Sequence, residues 1–567
     1  MEQQSRLLSK RSSLVEGLLA VLFLFAPFYF HPNLGGTGLN LPANIVIWML
    51  ATSIIFLGVK QALDAKVLYL PKYYYYILAF PVLITLSGFI AGVLYPLDWF
   101  FRLAFVWMGA AFFIALLQFK QTRGRYDRYL FYILLSAILQ AVTGLAHKYQ
   151  LGFVADLLPP LKSGDPFGMF FQINNQNSYQ VTAILIAFYL LTRPLSRSSQ
   201  VIRVMLYLGI FLASIIVAIS ASRIGALALL IVIPILIRLL WPKFKIRRKQ
   251  LAFAVLILFT GIALGGVQGY AKLSDKTTRL ADGYGADERL GIYAISLSLI
   301  EKSPVWGHGI GSFIPKWHEE KILFIHDDPQ FETISSYLTH PHNEVMLWAV
   351  EGGMIALVGF IFVLLFLYKT GRLHYQQWPV MVLLLPIVLH TQVELPFYTS
   401  ALHWFVVLLL LSMLSTIQLA KVTLSLSHTM HNTLKVSNYL LALLTGLFLV
   451  HTLISCYELG SYRGSSWNIK IAASNPYFSE IVESMQHKEL AIYANNNKNM
   501  AETERFLDWG RRHIIKEPSP PMYQLMAMAY NNLKQRTAMC QLVAEGVLLY
   551  PDHKDLKAID QKCTETK

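Results

Sequence analysis

The amino-acid sequence predicts an all-α polytopic membrane protein with about 13 transmembrane helices (roughly 12–14). Hydrophobic residues make up 55% of the 567 residues and charged residues only 14%, whereas soluble domains carry about 25% charged residues. Apolar runs of about 17–25 residues, long enough to cross a bilayer, recur from residue 14 to about residue 457. Lysine and arginine are also distributed unevenly between alternate loops. Together these observations favour a bilayer protein over a soluble one.

The apolar runs define the predicted spans. The first has no small-residue cleavage site after Phe30, so we expect an uncleaved helix and not a signal peptide. Several runs are short or interrupted by Pro or Gly, which leaves the number of spans uncertain by one or two. The spans lie near residues 14–31, 41–59, 73–95, 101–118, 129–147, 177–192, 204–219, 222–238, 251–267, 343–368, 378–394, 400–419 and 437–457.

The distribution of basic residues predicts the topology. If the N-terminus is cytoplasmic, the cytoplasmic segments contain 23 Lys and Arg residues, whereas the short loops on the opposite side contain only Arg102 and Arg223. This is the bias that the positive-inside rule describes. The net charge of +15 therefore reflects the membrane topology and does not indicate a nucleic-acid partner, although membrane lipids are expected partners. In a bacterial inner membrane, loops 148–176 and 268–342 and the C-terminal segment would face the periplasm.

Two domains are expected. Residues 1–457 would form the transmembrane domain, and residues 458–567 a periplasmic α-helical domain with amphipathic helices at 476–495, 500–515, 519–533 and 536–550. The stretch PPMYQLMAMAYNNLKQRTAMCQLVAEGVLLYP has the length of one tetratricopeptide (TPR-like) repeat, and a helical domain unrelated to such repeats is the alternative. Cys540 and Cys563 would either form a disulfide in an oxidising periplasm or remain two buried thiols.

Motifs for nucleotides and metals are missing from the sequence. No GxxxxGK[ST] is present, and GHGIGSF (307–313) lacks the lysine of a phosphate-binding loop, so its glycines are interpreted as turns. There is also no CxxC or HExxH, and no His/Cys cluster has zinc spacing. We therefore expect no cofactor and no metal, and the energy for any reaction would reside in an activated substrate.

Amide side chains precede the sixth predicted span, in FGMFFQINNQNSY (167–179). Amides can bind sugar hydroxyls and phosphate oxygens without carrying charge into the membrane, although a helix N-cap is an alternative role for them. The polar residues of this stretch are Gln172, Asn174, Asn175, Gln176 and Asn177.

Two arginines are candidates for binding an anionic group. Arg223 follows SAS in a tight outer turn, and its planar guanidinium suits phosphate. The alternative is an arginine that extends to the membrane surface. Arg289 opens an amphipathic segment in DERLGIYAISLSLIEK, with Arg279 as a neighbouring candidate and a plain surface charge as the alternative.

Histidines stand at the beginning of an apolar run in THPHNEVMLWAVEGG (339–353). Neutral histidine can accept a proton from a hydroxyl near neutral pH. Residues two apart do not share one helix face, so His340 and His342 are expected to have different roles, which disfavours a metal pair. The turn HTQVELPFYTSALHW (390–404) adds Tyr398, for which an interfacial aromatic belt is the ordinary role.

All these polar groups lie on the predicted outer side. Arginines imply an anionic group, and a histidine implies an alcohol or water to be activated. A lipid-linked sugar diphosphate meets both requirements and carries its own leaving group, so no nucleotide is needed.

The motifs resemble those of one known family. His342-Asn343 followed by Gly353, the arginine of SASR and the DERL…W…G-x-G segment resemble the signature of the O-antigen ligase (Wzy_C) superfamily. Within it, FGMFFQINNQN, LPFYTSALHW and the helical tail are similar to PglL-type bacterial protein O-oligosaccharyltransferases. The resemblance covers residues 160–420 by motif. Ala356 departs from ligases that repeat a Gly, Thr or Tyr three residues after the motif glycine.

The resemblance implies metal-independent transfer of an oligosaccharide from an undecaprenyl-diphosphate carrier to Ser or Thr of an exported, pilin-like protein. It implies that His342 acts as general base or holds the acceptor hydroxyl in line with the anomeric carbon, and that Arg223 and Arg289 bind the diphosphate. We expect Asn343 to orient His342. The further site residues that the resemblance implies are Gln172, Tyr398, Asn175 and Asn177. An O-antigen ligase acting on lipid A-core, or an O-antigen polymerase, is the alternative with the same chemistry. A transporter is the alternative from another class, disfavoured because no paired inverted repeats are evident.

Overall fold

A computed structural model of the chain describes residues 2–152, 164–281, 286–334 and 337–565. Nine helices within these ranges are long and apolar enough to cross a membrane. A mostly helical chain with many helices of this kind agrees with the predicted class of polytopic membrane protein, whereas the total of about 13 spans and the topology stay predictions. The predicted outer loops 148–176 and 268–342 lie partly outside the described residues.

The helices are numbered in chain order. The first ten are α1 (Glu2–Leu24), α2 (Pro42–Ala65), α3 (Tyr74–Ile90), α4 (Pro96–Leu117), α5 (Arg123–Tyr149), α6 (Ile173–Leu191), α7 (Leu195–Ser198), α8 (Gln200–Ser220), α9 (Arg223–Phe244) and α10 (Arg248–Ala281). The next eight are α11 (Ala286–Lys302), α12 (Phe313–Asp327), α13 (Glu344–Leu373), α14 (Trp378–Val382), α15 (Leu385–His390), α16 (Pro396–Thr399), α17 (Ala401–Ser415) and α18 (His428–Ser461). The last five are α19 (Ser479–Asn497), α20 (Met500–Lys516), α21 (Pro520–Asn532), α22 (Arg536–Leu549) and α23 (Lys554–Thr564).

The chain divides into two compact units. The first contains residues 1–81, 104–278 and 360–456, and the second contains residues 82–103, 279–359 and 457–567. Both units are assembled from segments far apart in the sequence. The second unit joins the helical tail to two segments of the apolar region. Its boundaries therefore differ from those of a domain that would simply begin after residue 457.

Helix α6 is the interior helix of the first unit. Every residue from Asn175 to Leu191 is buried, and α6 packs against α5, α8, α9 and α15. A helix with no exposed face is expected to be apolar all round. Among its polar exceptions, Gln176 and Gln180 donate to backbone carbonyls of α5 at 2.9 Å and 3.0 Å. Ser178 Oγ contacts His390 Nδ1 at 2.8 Å and His403 Nε2 at 3.1 Å. This buried network links α6 to α15 and α17.

The predicted span at 378–394 is not one continuous helix. It consists of the short helices α14 and α15, interrupted at Leu383 and Leu384, each with a proline in its first turn. Proline fits the first turn of a helix but cannot extend one that is already running. Pro386 therefore accounts for a new helix beginning where the sequence suggested a single span.

A small sheet corrects the all-α prediction. Strand β1 (Val67–Pro71) pairs antiparallel with β2 (Leu419–Thr423), with Val67 opposite Thr423. The side chain of Gln118 accepts from the N–H of Tyr69 at 2.9 Å and donates to its C=O at 2.8 Å, which satisfies the free edge of β1. Both strands lie at or between predicted spans, and five-residue strands paired across about 350 residues leave no local pattern in the sequence.

Five helices, α19–α23, form a helical module within the second unit. The first four coincide closely with the predicted amphipathic segments, and α23 is an additional helix. Their buried residues form one core that includes Phe506, Met522, Tyr523, Met526 and Leu556. Helix α12 packs against α20 and α22. The prediction of a helical tail agrees with this arrangement, while its relation to tetratricopeptide repeats stays a prediction.

Cys540 and Cys563 form a disulfide that joins α22 to α23. Of the two alternatives that the sequence left open, a disulfide or two buried thiols, the disulfide therefore holds.

Exchange of both cysteines for serine is expected to lower the free energy of unfolding of the module by about 2–4 kcal/mol, because the loop that the disulfide closes restricts the unfolded chain. Hydrogen exchange of α22 and α23 in the purified full-length protein measures the change. Reduction of the wild-type protein should reproduce it, and unchanged exchange rates would contradict a stabilising role.

A stack of three rings lies between α19 and α20. Trp509 lies between His487 and His513, with ring centroids 4.3 Å apart on each side. Burial, together with the charges of Lys488, Lys516 and His487, lowers the pKa of His513 to about 4. The folded module therefore holds this imidazole neutral at pH values where an unfolded histidine, with a pKa of about 6.5, takes up a proton.

Acidification is expected to destabilise this part of the module. Since the unfolded state binds one more proton between pH 6.5 and pH 4, the stabilisation present above pH 6.5 is lost as the pH falls through that window, by up to about 3 kcal/mol. Hydrogen exchange of α19 and α20 as a function of pH measures this loss. His513→Gln should flatten the profile. His326→Gln is the matched control, because its side chain is 86% exposed, and an equal change there would contradict the assignment to His513.

Candidate functional site

The amides predicted from the sequence lie together at the start of α6, in the first unit. Gln172 is the N-cap, and its side-chain oxygen accepts from the Asn175 N–H at 2.6 Å. Asn175 in turn donates to Thr399 Oγ1 at 2.7 Å. Tyr398 is the neighbour of Thr399 in the short helix α16. The N-cap alternative thus holds for Gln172, and the Asn175–Thr399 hydrogen bond brings the amides and the Tyr398 turn together.

Asn177 connects the same cluster to the helix that begins with Arg223. Its side-chain oxygen accepts from Ser220 Oγ at 2.7 Å, and its amide donates to the Ile173 carbonyl at 2.8 Å. A Cβ atom on Gly225, in the first turn of α9, would lie 3.3 Å from the same oxygen. The backbone of Arg223 therefore begins α9 beside Asn177. The side chains of Arg223 and Arg279 lie outside the described part of the structure.

The predicted catalytic histidine lies in a turn directly before α13, in the second unit. His342 has a φ of 51°, in the left-handed region, which histidine enters more often than most residues. Its N–H donates to His340 Nδ1 at 3.2 Å, and the two rings meet edge-to-face with centroids 4.5 Å apart. Helix geometry does not apply to these two histidines, because both precede the helix and their rings are in contact. The expectation that they have different roles stays a prediction.

Asn343 fixes where α13 begins. Its side-chain oxygen accepts from the Met346 N–H at 3.0 Å, and its carbonyl accepts from the Leu347 N–H at 3.0 Å. Asparagine is among the residues preferred at this capping position. Because Asn343 follows His342 directly, the cap also determines where the left-handed residue stands relative to the helix.

Helix α13 is interrupted nine residues after its start. Gly353 has φ 63° and ψ −161°, a conformation outside the helix. The loop 304–309 fills the interruption: the N–H groups of His308 and Gly309 donate to Val350 and Glu351, and the Met354 N–H donates to Pro304, at 2.8–3.0 Å. The backbone groups released by the break are satisfied in this way, as buried polar groups require. The glycines of GHGIGSF have positive φ here, as turns do.

A buried ion pair supports this junction. Glu351 is fully buried, and its carboxylate accepts from Arg102 at 2.5 Å and from the Phe313 N–H at 3.2 Å. Ser87 Oγ lies 2.8 Å and 2.7 Å from the carbonyls of Trp306 and Gly352. Sequence reasoning missed Glu351. The available signals were a carboxylate within an apolar run and Arg102, one of only two cations in the short outer loops.

Arg289, the second predicted diphosphate ligand, lies in the first turn of α11 and is exposed. No hydrogen bond or ion pair joins it to another of the described residues. It belongs to the same unit as His342 and Asn343, whereas Arg223, Tyr398 and the amides belong to the other unit. The site assignment as a whole stays a prediction.

Two comparisons with known families place the chain. Residues 208–361 match the family described as O-Antigen ligase (Wzy_C), and residues 378–563 match the one described as Virulence factor membrane-bound polymerase, C-terminal (Wzy_C_2). Residues 208–361 are therefore similar to an O-antigen ligase family domain, and residues 378–563 to a virulence-factor membrane polymerase domain. The predicted superfamily is confirmed at this level. No curated protein and no solved structure matches the chain.

Proposed function

We propose that this protein transfers an oligosaccharide from an undecaprenyl-diphosphate carrier to Ser or Thr hydroxyls of exported proteins such as type IV pilin, at the periplasmic face of the inner membrane. The observation that carries the proposal is the turn in which His342 stands, left-handed and in contact with His340, directly before an apolar helix. This turn lies within residues 208–361, which match the O-antigen ligase family.

In the proposed reaction His342 takes the proton of the acceptor hydroxyl while the hydroxyl oxygen attacks the anomeric carbon. The bond between that carbon and the diphosphate oxygen breaks, and undecaprenyl diphosphate leaves with the electron pair. Arg223 and Arg289 stabilise the charge that develops on the leaving group, a contribution that is often the largest in catalysis. No metal takes part, and the proton passes from His342 to solvent or to the departing diphosphate.

The amide cluster supports a role in holding the donor. Asn177 is hydrogen-bonded to Ser220, three residues before Arg223. Such an arrangement, with an arginine at the start of a helix and neutral amides beside it, suits a phosphate with its attached sugar. Backbone N–H groups at the start of a helix favour anions, and arginine offers a planar set of hydrogen-bond donors. Gln172 and Asn175 reach the Tyr398 turn through Thr399.

The alternative acceptors are lipid A-core and a second glycan chain. The descriptions of the matched families, an O-antigen ligase and a membrane-bound polymerase, favour them. The helical module α19–α23 favours a protein acceptor, because it adds a surface that a lipid acceptor does not require. Both alternatives use the same donor and the same proposed base.

The experiment supplies the purified full-length protein with a lipid-linked oligosaccharide and three acceptors in parallel: a pilin, lipid A-core and the glycan itself. Mass spectrometry detects the product. A mass increase confined to the pilin is the expected result and should persist with a chelator present. Elongated lipid A-core or a longer glycan with unmodified pilin would replace the proposal by the corresponding alternative. Loss of transfer on chelation would contradict the metal-free reaction.

A further inference from the structure

Basic side chains gather where four helices of the first unit begin or end. Arg123 opens α5, and Arg193 follows the end of α6. Lys243 lies in the last turn of α9, and Arg247 directly precedes α10. Lys243 lies within electrostatic range of the other three, and all four stand in segments that the sequence predicts to be cytoplasmic. These four residues are called the basic cluster below.

A single buried carboxylate faces the basic cluster. Asp127 is 1% exposed, and its two oxygens accept from Arg193 Nε at 3.1 Å and 3.0 Å. This contact uses only the Nε edge of the guanidinium. The two Nη groups of Arg193 make no hydrogen bond to any described residue. Asp127 therefore orients Arg193 while leaving its strongest pair of donors available to a ligand.

The other cations of the cluster make contacts that leave their charge unpaired. Arg247 Nη1 donates to the Leu191 carbonyl at the end of α6, and Arg123 Nη2 donates to Gln377 Oε1. Lys243 is exposed, and its ammonium group forms no hydrogen bond or ion pair within the described part of the chain. Since cations held near one another repel, an anion that binds among them is favoured.

A second group of cations in the same unit differs in this respect. Arg11, Lys60 and Lys435 lie 2.6 Å, 3.5 Å and 2.8 Å from the carboxylate of Asp64, so one acidic side chain is shared by all three. In the basic cluster Arg193 alone contacts a carboxylate of a described residue. The described residues therefore supply a common counter-charge to the first group and not to the basic cluster.

Exposed apolar side chains flank the basic cluster. Trp241 is 44% exposed and Ile246 is 85% exposed, and they stand on either side of Lys243 in the chain. Tryptophan is typical of the boundary between membrane and water, and basic residues between the cytoplasmic ends of transmembrane helices suit anionic lipid headgroups. A soluble phosphate would use the cations but none of this apolar surface. The combination therefore favours a phospholipid.

We propose that the basic cluster binds the headgroup of an anionic phospholipid such as phosphatidylglycerol. The phosphodiester accepts hydrogen bonds from the Nη groups of Arg193, whose planar donors suit phosphate, and from the ammonium group of Lys243. The bound lipid links the ends of α5, α6, α9 and α10. The inference does not rest on the proposed glycan transfer, because the basic cluster lies at the end of α6 and the amide cluster at its start.

The test measures binding of short-chain phospholipids to the delipidated full-length protein by native mass spectrometry. Dioctanoyl phosphatidylglycerol should bind on the order of ten-fold more tightly than dioctanoyl phosphatidylcholine, because nearby cations attract an anionic headgroup. Lys243→Gln should weaken binding of phosphatidylglycerol about five-fold and leave binding of phosphatidylcholine unchanged. Lys249→Gln is the matched control, because Lys249 is an exposed lysine of the same segment that takes part in none of the contacts above.

Arg193→Lys separates a specific site from an effect of net charge. Lysine keeps the positive charge and can pair with Asp127, but it lacks the free Nη groups that would bind the phosphodiester. We expect binding of phosphatidylglycerol about three-fold weaker than in wild type. Thermal unfolding checks that the variant is folded, and Lys243→Gln, at an exposed position, carries the test if it is not. Wild-type affinity in folded Arg193→Lys would overturn the proposed contact.

Two soluble probes identify the source of the phosphate. Glycerophosphoglycerol, which is the headgroup without acyl chains, and inorganic phosphate should displace dioctanoyl phosphatidylglycerol only weakly. If either competed as well as the lipid itself, the basic cluster would bind a soluble phosphate and the assignment to a phospholipid would be overturned. Equal affinities of the wild-type protein for the two phospholipids, or equal losses in Lys243→Gln and Lys249→Gln, would also overturn it. No glycan takes part in these measurements, so their outcome is independent of the proposed function.

Discussion

His342→Asn is expected to reduce kcat by about 10²–10⁴-fold, the usual contribution of a general base, while the protein folds as wild type. Asparagine tolerates the left-handed backbone that His342 adopts, with φ 51°. The exchange therefore removes the imidazole without straining the turn. His342→Ala is a poorer test, because alanine at this φ would disturb the turn as well. Turnover of a lipid-linked glycan under saturating donor and acceptor measures the effect.

His340 provides the matched control. Its Nδ1 accepts from the His342 N–H at 3.2 Å, and the side-chain oxygen of asparagine can take over that contact. His340→Asn should therefore keep most of the activity. Equal losses in the two variants would assign the effect to the turn as a whole, and wild-type turnover in His342→Asn would contradict the role of His342 as the base.

Local patterns predicted the helices well where hydrophobic periodicity or capping residues were present. The four amphipathic segments of the tail correspond to α19–α22, because a helix of the right period needs only neighbouring residues to be recognised. The asparagine of THPHN was predicted to accompany the working histidine, and it caps α13. Gln172 likewise occupies the N-cap of α6. These features depend on contacts between residues three or four apart.

Features that depend on distant partners were not predictable in the same way. Arg102 and Glu351 are 249 residues apart, and neither residue alone indicates an ion pair. The pairing of β1 with β2 gives each strand a partner about 350 residues away, and their five-residue lengths are too short for a periodic signal. Helix spacing does not describe the relation between His340 and His342, because a turn, and not a helix, holds them.

Gly353→Ala is expected to destabilise the second unit by roughly 3–5 kcal/mol. With φ 63° and ψ −161°, Gly353 occupies a backbone region that is essentially restricted to glycine. A Cβ atom there would lie 2.3 Å from the Val305 carbonyl oxygen and 2.6 Å from the Gly307 nitrogen. Both are backbone atoms and cannot rotate away, so the loop 304–309 would have to leave α13. Thermal unfolding of the purified protein measures the loss.

Activity should fall together with stability in this variant, because the N-terminal part of α13 that follows His342 and Asn343 is held by the loop 304–309. Gly446→Ala is the matched control, since Gly446 also lies in a long apolar helix and nothing would be within 4 Å of its added Cβ atom. Alanine there should be neutral or slightly stabilising. If Gly353→Ala unfolded at the wild-type temperature, the break in α13 would not be the feature that positions the His342 turn, and the loop 304–309 would be dispensable for it.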